Sequence, residues 1–186
     1  YNGLGRITGD EVGSVVPGGA PGGAAGGGMW GDPSWHRLFD AGWAGGIAWL
    51  LPAAVILAGA GFWFTRRDVR SSPRRAGLIL WTGWLLVTAG TFSFASGIIH
   101  EYYAVALAPA IAAVVAIGVT LLWLRRAESL ARMILAGTIA LSGLNAAWML
   151  VRAGSPYSTV GLLVAVTAMA AAALIAVVHD MIITVG

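Results

Sequence analysis

Four residues that could do chemistry stand together between two long apolar runs of this sequence: His100, Glu101, Tyr102 and Tyr103. Ionisable groups are costly to keep beside hydrocarbon, so their presence at the edge of membrane-spanning segments indicates a functional site. Tyrosine at a helix end is also a common anchor at the membrane surface. Two interpretations therefore stay open for the Tyr pair, whereas the sequence favours a site for His100 and Glu101.

The composition indicates an integral membrane protein. Hydrophobic residues make up 58% of the chain and charged residues 10%, against about 25% charged residues in an average soluble domain. Cysteine is absent from the sequence, which excludes disulfides and thiol chemistry within it. The His residues lack the spacing of a zinc or haem site, so no cofactor is expected here. A divalent metal bound by another part of a longer protein stays open.

Five apolar runs predict five transmembrane helices. Each run has about the 20 residues needed to cross roughly 30 Å of hydrocarbon, where a helix satisfies its backbone hydrogen bonds internally. The predicted fold class is all-α, a polytopic transmembrane helical bundle with about five spans and a short interfacial helix. The transmembrane domain covers residues 43–186, and its spans are residues 43–65, 76–99, 103–124, 133–151 and 160–181.

Residues 1–42 are interpreted as an extracytoplasmic loop. The Gly- and Pro-rich stretch 17–28 predicts a flexible linker. Asp32 and Pro33 form a helix-start pattern, and apolar residues follow at helical spacing, with Arg37 elsewhere on the helical wheel. This pattern predicts a short amphipathic helix at the membrane interface. Its apolar positions are Trp35, Leu38, Phe39 and Gly42.

The distribution of arginine predicts the orientation in the plasma membrane. The chain has no lysine, and eight of its 11 Arg residues lie in two of the loops between spans. Positive charge favours the cytoplasmic side, so the opposite side should hold residues 1–42 and the His100 turn. Because these Arg residues cluster at membrane boundaries, the net charge of +3 does not indicate nucleic-acid binding. The eight are Arg66, Arg67, Arg70, Arg74, Arg75, Arg125, Arg126 and Arg132.

Three further patterns concern the spans themselves. Ser93, Ser96 and His100 fall on one face of a helix over residues 76–99, so the two Ser side chains could orient the imidazole. Pro52 and Pro109 are expected to bend their helices, because each lacks a backbone donor. Small residues are spaced for close helix contact; they are Ala54, Ala58, Ala168, Ala172 and Ala176.

The run from Ile99 to Ala113 resembles a known family signature. It matches the His-Pro-Tyr-Tyr-x-x-x-Leu-x-Pro pattern of bacterial glycosyltransferase family 39, with Glu101 in place of the usual Pro. That family includes aminoarabinose-transferase-like and protein-mannosyltransferase-like membrane enzymes. Other stretches are similar to the later part of actinobacterial members, so the resemblance covers nearly the whole chain. They are Tyr1–Arg6, Trp49–Pro52 and Leu80–Thr88.

The resemblance implies a GT-C fold and a defined reaction. Such an enzyme transfers a sugar, mannose or a related hexose or pentose, from a polyprenyl-phosphate donor to a lipid, protein or glycan acceptor outside the cytoplasm. Its general base is an acidic residue in the first outer loop, expected upstream of Tyr1. This chain, which opens in polar sequence without Met, is accordingly interpreted as the C-terminal part of a longer protein and expected to be inactive alone. The implied partners are the donor, the acceptor, membrane lipids and the missing N-terminal half. The residues expected to bind substrate are His100, Glu101, Tyr102, Tyr103 and Arg6.

Two other classes of protein stay open from the residues alone. A transporter or channel subunit would also be polytopic, but it should carry charged or broken helices near the midplane. The predicted spans offer mainly Asn145 at that depth, which ranks this class second. A non-catalytic membrane scaffold ranks third. Incubation of the full-length protein with a labelled polyprenyl-phosphate sugar separates an enzyme from both.

Overall fold

The computed structural model describes residues 33–95 and 100–185, and helices are the regular elements in these ranges, with no β-strand among them. Two 3-10 segments cover Arg37–Phe39 and Glu101–Leu107. The α-helices are α1 Ala41–Ile47, α2 Leu51–Phe64, α3 Pro73–Phe94, α4 Ala108–Leu124, α5 Ser129–Arg152 and α6 Tyr157–Val185.

Within the described residues, four helical segments are long and apolar enough to cross a membrane. The second of them joins the longer 3-10 segment to α4. The predicted all-α transmembrane fold is therefore confirmed, with four such segments where the sequence predicts about five spans. The four are Pro73–Phe94, Glu101–Leu124, Ser129–Arg152 and Tyr157–Val177.

The first apolar run, residues 43–65, forms two helices instead of the single span expected. Helix α1 ends at Ile47, and α2 begins at Leu51 with Pro52 in its first turn. In a continuous helix residue 52 would donate its N–H to the carbonyl of Ala48, and proline has no N–H to donate. A first turn tolerates proline because its N–H would be unpaired there anyway. The 14 residues of α2 extend about 21 Å at 1.5 Å per residue, less than the roughly 30 Å of hydrocarbon.

Pro109 lies where the chain changes from 3-10 to α geometry. It is the second residue of α4 and follows the 3-10 segment Glu101–Leu107 directly. In a continued 3-10 helix, residue 109 would donate to the carbonyl of Ala106, which a proline cannot do. The indole Nε1 of Trp84 donates to that carbonyl at 3.1 Å. The structure thus changes helix type at this proline, and the bend expected there stays a prediction.

By its internal contacts the chain divides into two compact units. Among the described residues, the first unit combines 33–48 with 84–95 and 100–108, and the second combines 49–83 with 109–185. The second unit has a core between α2, α4 and α5, formed by Ala53, Leu57, Ala60, Leu122, Ala131 and Leu135.

Small residues bring helices of the second unit into close contact. Ala54 and Ala58 of α2 are buried, as is Ala172 of α6. Gly143 of α5 lies so close to Ala168 of α6 that a β-carbon on the glycine would overlap the alanine methyl. These positions bear out the close packing predicted for the small-residue faces of the first and last apolar runs.

The arginine-rich loops of the second unit contact the same helix end. Arg125, just after α4, donates from Nη1 to the carbonyl of Phe64 at the end of α2, at 3.2 Å. Arg75, in the first turn of α3, donates to three carbonyl oxygens of residues 65–68 in the loop after α2, at 2.6 to 3.3 Å. Both loops therefore lie at one end of this unit. That this end faces the cytoplasm stays a prediction.

Candidate functional site

Three of the predicted site residues form an aromatic cluster in the first unit. The imidazole of His100 stacks on the ring of Tyr102, with centroids 5.2 Å apart and an interplanar angle of 18°. The ring of Tyr103 meets both of them edge-on, with centroids 5.6 Å from His100 and 4.7 Å from Tyr102. Each ring thus restricts the other two, which holds the polar atoms they carry in a limited set of positions.

The backbone at the cluster differs from the turn expected over these residues. His100 is extended, with φ −93° and ψ 142°, and the 3-10 helix begins at Glu101. The predicted span start at residue 103 is therefore too late. In a 3-10 helix side chains three residues apart lie in one row, so Glu101, Ala104 and Leu107 share a row. Ala104 and Leu107 are buried, whereas Glu101, at the start of the row, is exposed.

Tyr102 lies on a different row of the 3-10 helix. Its side chain is 67% exposed, and Val105, three residues later in the same row, is 71% exposed. Because the row is open along its length, the ring of Tyr102 can contact a ligand on one face while His100 covers the other. Tyr103 is half-buried. The cluster therefore offers one open aromatic face together with a more enclosed hydroxyl group.

The carboxylate of Glu101 lies against helix α1 at Gly42. A β-carbon at residue 42 would overlap the Glu101 carboxylate, whereas a β-carbon at Gly45 or Gly46 of the same helix would meet nothing within 4 Å. Helix α1 packs along the 3-10 helix that carries the cluster. The absence of a side chain at one position of α1 is thus what lets this carboxylate approach the helix.

Arg37 has a role that the sequence does not reveal. The predicted interfacial helix puts it on the polar face, but its side chain is 1% exposed and the prediction is wrong. Its Nη1 donates to the carbonyls of Phe92 and Ala95 at 3.0 and 2.6 Å, at the C-terminal end of α3. The last carbonyls of a helix lack intrahelical partners and carry partial negative charge, so a buried guanidinium is a suitable group to bind them.

The predicted serine face does not form, because α3 ends earlier than expected. The helix stops at Phe94, so His100 does not continue the face that holds Ser93, and Ser96 lies outside the described residues. The carbonyl of Ser93 accepts the N–H of Ser34 at 2.8 Å. Together with Arg37, this backbone bond binds the terminal carbonyls of α3 to residues 34–37.

The structure thus brings together four of the five predicted substrate-binding residues and adds one neighbour, Gly42. His100, Tyr102 and Tyr103 share the ring cluster, and Glu101 lies beside them on the row that faces α1. Arg6 lies outside the described residues. The sequence gives no signal for the roles of Arg37 and Gly42, because their partners come more than 50 positions later in the chain. In the described part of the chain, no three His, Asp or Glu side chains are grouped to hold a metal ion.

Two curated proteins of Bacillus subtilis (strain 168) are similar to part of this chain. One, named "Putative mannosyltransferase YycA", is 42% identical over 90 residues, which are 47% of this chain and 13% of that protein. The other, named "Putative mannosyltransferase YkcB", is 39% identical over 89 residues, 47% of this chain and 12% of that protein. No family model and no solved structure matches the chain.

The matches cover a small share of the two relatives. This chain spans about an eighth of their length, so what is similar is one portion of a much longer protein. Together with the apolar helices described above, the similarity supports a relationship to membrane glycosyltransferases.

Proposed function

We propose that this chain is part of a membrane glycosyltransferase that moves a sugar from a polyprenyl-phosphate donor to an acceptor outside the cytoplasm. The observation that carries the proposal is the similarity to two proteins named as mannosyltransferases, over nearly half of this chain. The resemblance to glycosyltransferase family 39 in residues 99–113 adds the GT-C architecture and the donor class. Mannose, or a related hexose or pentose, is the proposed sugar, and the acceptor is a lipid, protein or glycan.

The proposed reaction has a simple balance of bonds. A hydroxyl oxygen of the acceptor attacks C1 of the sugar while the bond between C1 and the phosphate oxygen breaks. The hydroxyl proton passes to an acidic base in another part of the full-length protein, and polyprenyl phosphate leaves with the bonding electrons. Negative charge therefore grows on the phosphate, and hydrogen-bond donors held at that position stabilise the transition state.

The cluster supplies groups of the right kind for this donor. An imidazole N–H of His100 and the hydroxyl of Tyr103 can both donate hydrogen bonds to phosphate oxygens. An ionised Glu101 can only accept hydrogen bonds. Its proposed partners are therefore the sugar hydroxyls, which can donate them. The exposed ring of Tyr102 offers an apolar face to the C–H groups of the sugar. Arg6 is proposed as a further phosphate partner, since guanidinium and phosphate pair in a bidentate manner.

The proposed location follows from the charge distribution. The cluster and residues 1–42 would face the outside of the plasma membrane, and the arginine-rich loops would face the cytoplasm. Polyprenyl phosphates are membrane lipids, so a donor site at a helix end near the membrane surface keeps the phosphate at headgroup level. The contact of both arginine-rich loops with the end of α2 supports placing them on one side.

Purified full-length protein should transfer radiolabelled mannose from polyprenyl-phosphate mannose to a cell-envelope acceptor fraction. The 186-residue chain purified alone should not, because the base is expected in another part of the protein. Thin-layer chromatography of the extracted lipids measures donor consumption, and precipitation of the acceptor measures product. Failure of the full-length protein with mannosyl, other hexosyl and pentosyl donors alike would contradict the proposed function. Transfer by the isolated chain would contradict the placement of the base.

A further inference from the structure

We infer that Gly42 is a positioning residue for this site, because it is the position in α1 that admits the Glu101 carboxylate. The inference deepens the proposed function and rests on it, since Glu101 is the proposed partner of the sugar hydroxyls. Gly42 itself touches no substrate; it acts through Glu101. Helix α1 accordingly supports the site at this one position, although it contributes no side chain to the aromatic cluster.

The 3-10 helix presents its side chains in rows three residues apart. Ala104 and Leu107 are 2% and 0% exposed, which fixes the rotation of that helix about its axis. Glu101 shares their row, so its Cα–Cβ bond points towards α1 whatever the side-chain torsions are. Because the neighbouring rows carry Tyr102 and Tyr103, a rotation that moved Glu101 away from α1 would also move both Tyr rings.

The space beside α1 at residue 42 is filled by the Glu101 carboxylate. A β-carbon at Gly42 would overlap the Glu101 carboxylate, whereas a β-carbon at Gly45 or Gly46 would meet nothing within 4 Å. A methyl group at residue 42 must therefore displace the carboxylate, which is the far end of a flexible, exposed side chain and can move without the 3-10 helix. A displacement of about 1 Å at a group that orients substrate can lower turnover by about 100-fold.

The effect of a Gly→Ala substitution on stability distinguishes the contact with Glu101 from the general preference of helices for alanine. In a helix, alanine is favoured over glycine, because glycine loses more backbone freedom on folding. Gly45→Ala should therefore stabilise the protein or leave it unchanged, since nothing lies within 4 Å of the added methyl group. Gly42→Ala adds the same methyl group to the same helix but should stabilise it less, because the Glu101 carboxylate must move aside. The two substitutions differ mainly in whether the added methyl group meets Glu101.

The test uses the full-length protein with Gly42→Ala, the matched control Gly45→Ala, Glu101→Asp, and the double variant Gly42→Ala/Glu101→Asp. Gly42→Ala should lower kcat/KM for the polyprenyl-phosphate sugar by about 10- to 100-fold, and Gly45→Ala should keep wild-type kinetics. Aspartate is shorter by one methylene group, which withdraws the carboxylate from residue 42. The double variant should therefore be more active than Gly42→Ala alone, which is a non-additive result expected only for groups in contact.

Melting temperatures of the same four variants give a readout that does not need activity. Gly42→Ala should melt at a lower temperature than Gly45→Ala, and adding Glu101→Asp to Gly42→Ala should narrow that difference. If Gly42→Ala matches Gly45→Ala in melting temperature, or the double variant recovers nothing, the inference is overturned, even if no donor is turned over by the wild type. If the wild type transfers sugar and Gly42→Ala does so equally well, the inference fails while the proposed function stands.

Discussion

His100→Ala in the full-length protein is expected to lower turnover of the polyprenyl-phosphate sugar by about 10- to 1000-fold, the loss found when one charge-stabilising donor is removed. The imidazole is stacked on Tyr102 and in edge contact with Tyr103, so its N–H groups are held in place before the donor binds. The effect should fall on kcat more than on KM, because the phosphate gains its negative charge as the bond to the sugar breaks.

His36 and Tyr157 provide matched controls for the cluster. His36 is an exposed histidine that pairs with Asp40 at 3.2 Å, and Tyr157 is an exposed tyrosine at the start of α6. His36→Ala and Tyr157→Phe should keep full turnover, whereas Tyr103→Phe should lose part of it. Unchanged activity in both His100→Ala and Tyr103→Phe, with normal expression, would show that the cluster is a structural anchor of the membrane surface.

Arg37→Met should destabilise the first unit strongly and abolish activity with it. The substitution keeps an unbranched side chain but removes the donors that bind the carbonyls of Phe92 and Ala95. A buried polar group left without its partner costs about 1 to 3 kcal/mol, and two carbonyls are affected. Because residues 34–37 would lose their attachment to the end of α3, the amide of Ser34, which donates to Ser93, should exchange with solvent faster.

Hydrogen exchange followed by mass spectrometry measures this effect locally. Arg67→Met is the control, because Arg67 is exposed in the loop after α2, and it should leave exchange in the first unit unchanged. Arg37→Lys should be intermediate, since an ammonium group can donate but lacks the planar fork of guanidinium. Wild-type exchange and stability in Arg37→Met would contradict the role assigned to its hydrogen bonds.

The class of fold and the location of the polar cluster could be predicted from the sequence. Apolar runs of about 20 residues are a direct consequence of hydrocarbon thickness, so the all-α transmembrane fold follows from hydropathy alone. The cluster stands out for the same reason: His100 and Glu101 interrupt sequence that is otherwise apolar. Both inferences depend only on residues that are neighbours in the chain.

The roles of Arg37 and Gly42 could not be predicted, because they depend on contacts between distant parts of the chain. Arg37 appears polar on a helical wheel, and only the position of the α3 carbonyls makes it a buried residue. Gly42 appears as one small residue among many, and its contact with Glu101 follows from the packing of α1 on the 3-10 helix. Periodicity describes one helix at a time and carries no information on which helix lies opposite.

The ends of the helices could not be predicted closely either. The run over residues 43–65 is apolar throughout, so its hydropathy gives no sign that a new helix begins at Leu51, with Pro52 in its first turn. At the cluster, a row with a period of three residues, Glu101, Ala104 and Leu107, distinguishes a 3-10 helix from a turn. The spacing of these three residues is visible in the sequence. A pattern this short, with a small alanine at its middle position, is too weak to identify a 3-10 helix. A boundary error of a few residues changed which side chains share a face.

Photo-crosslinking tests directly whether residues 100–103 contact the donor. The probe is a polyprenyl-phosphate mannose with a diazirine on the isoprene unit next to the phosphate. It would be irradiated with the full-length protein in nanodiscs and the crosslinked peptides identified by mass spectrometry. We expect crosslinks in the peptide that contains His100 to Tyr103, competed by unlabelled donor and reduced in Gly42→Ala. Competed crosslinks that fall elsewhere, with none in that peptide, would contradict the assignment of the cluster as the donor site.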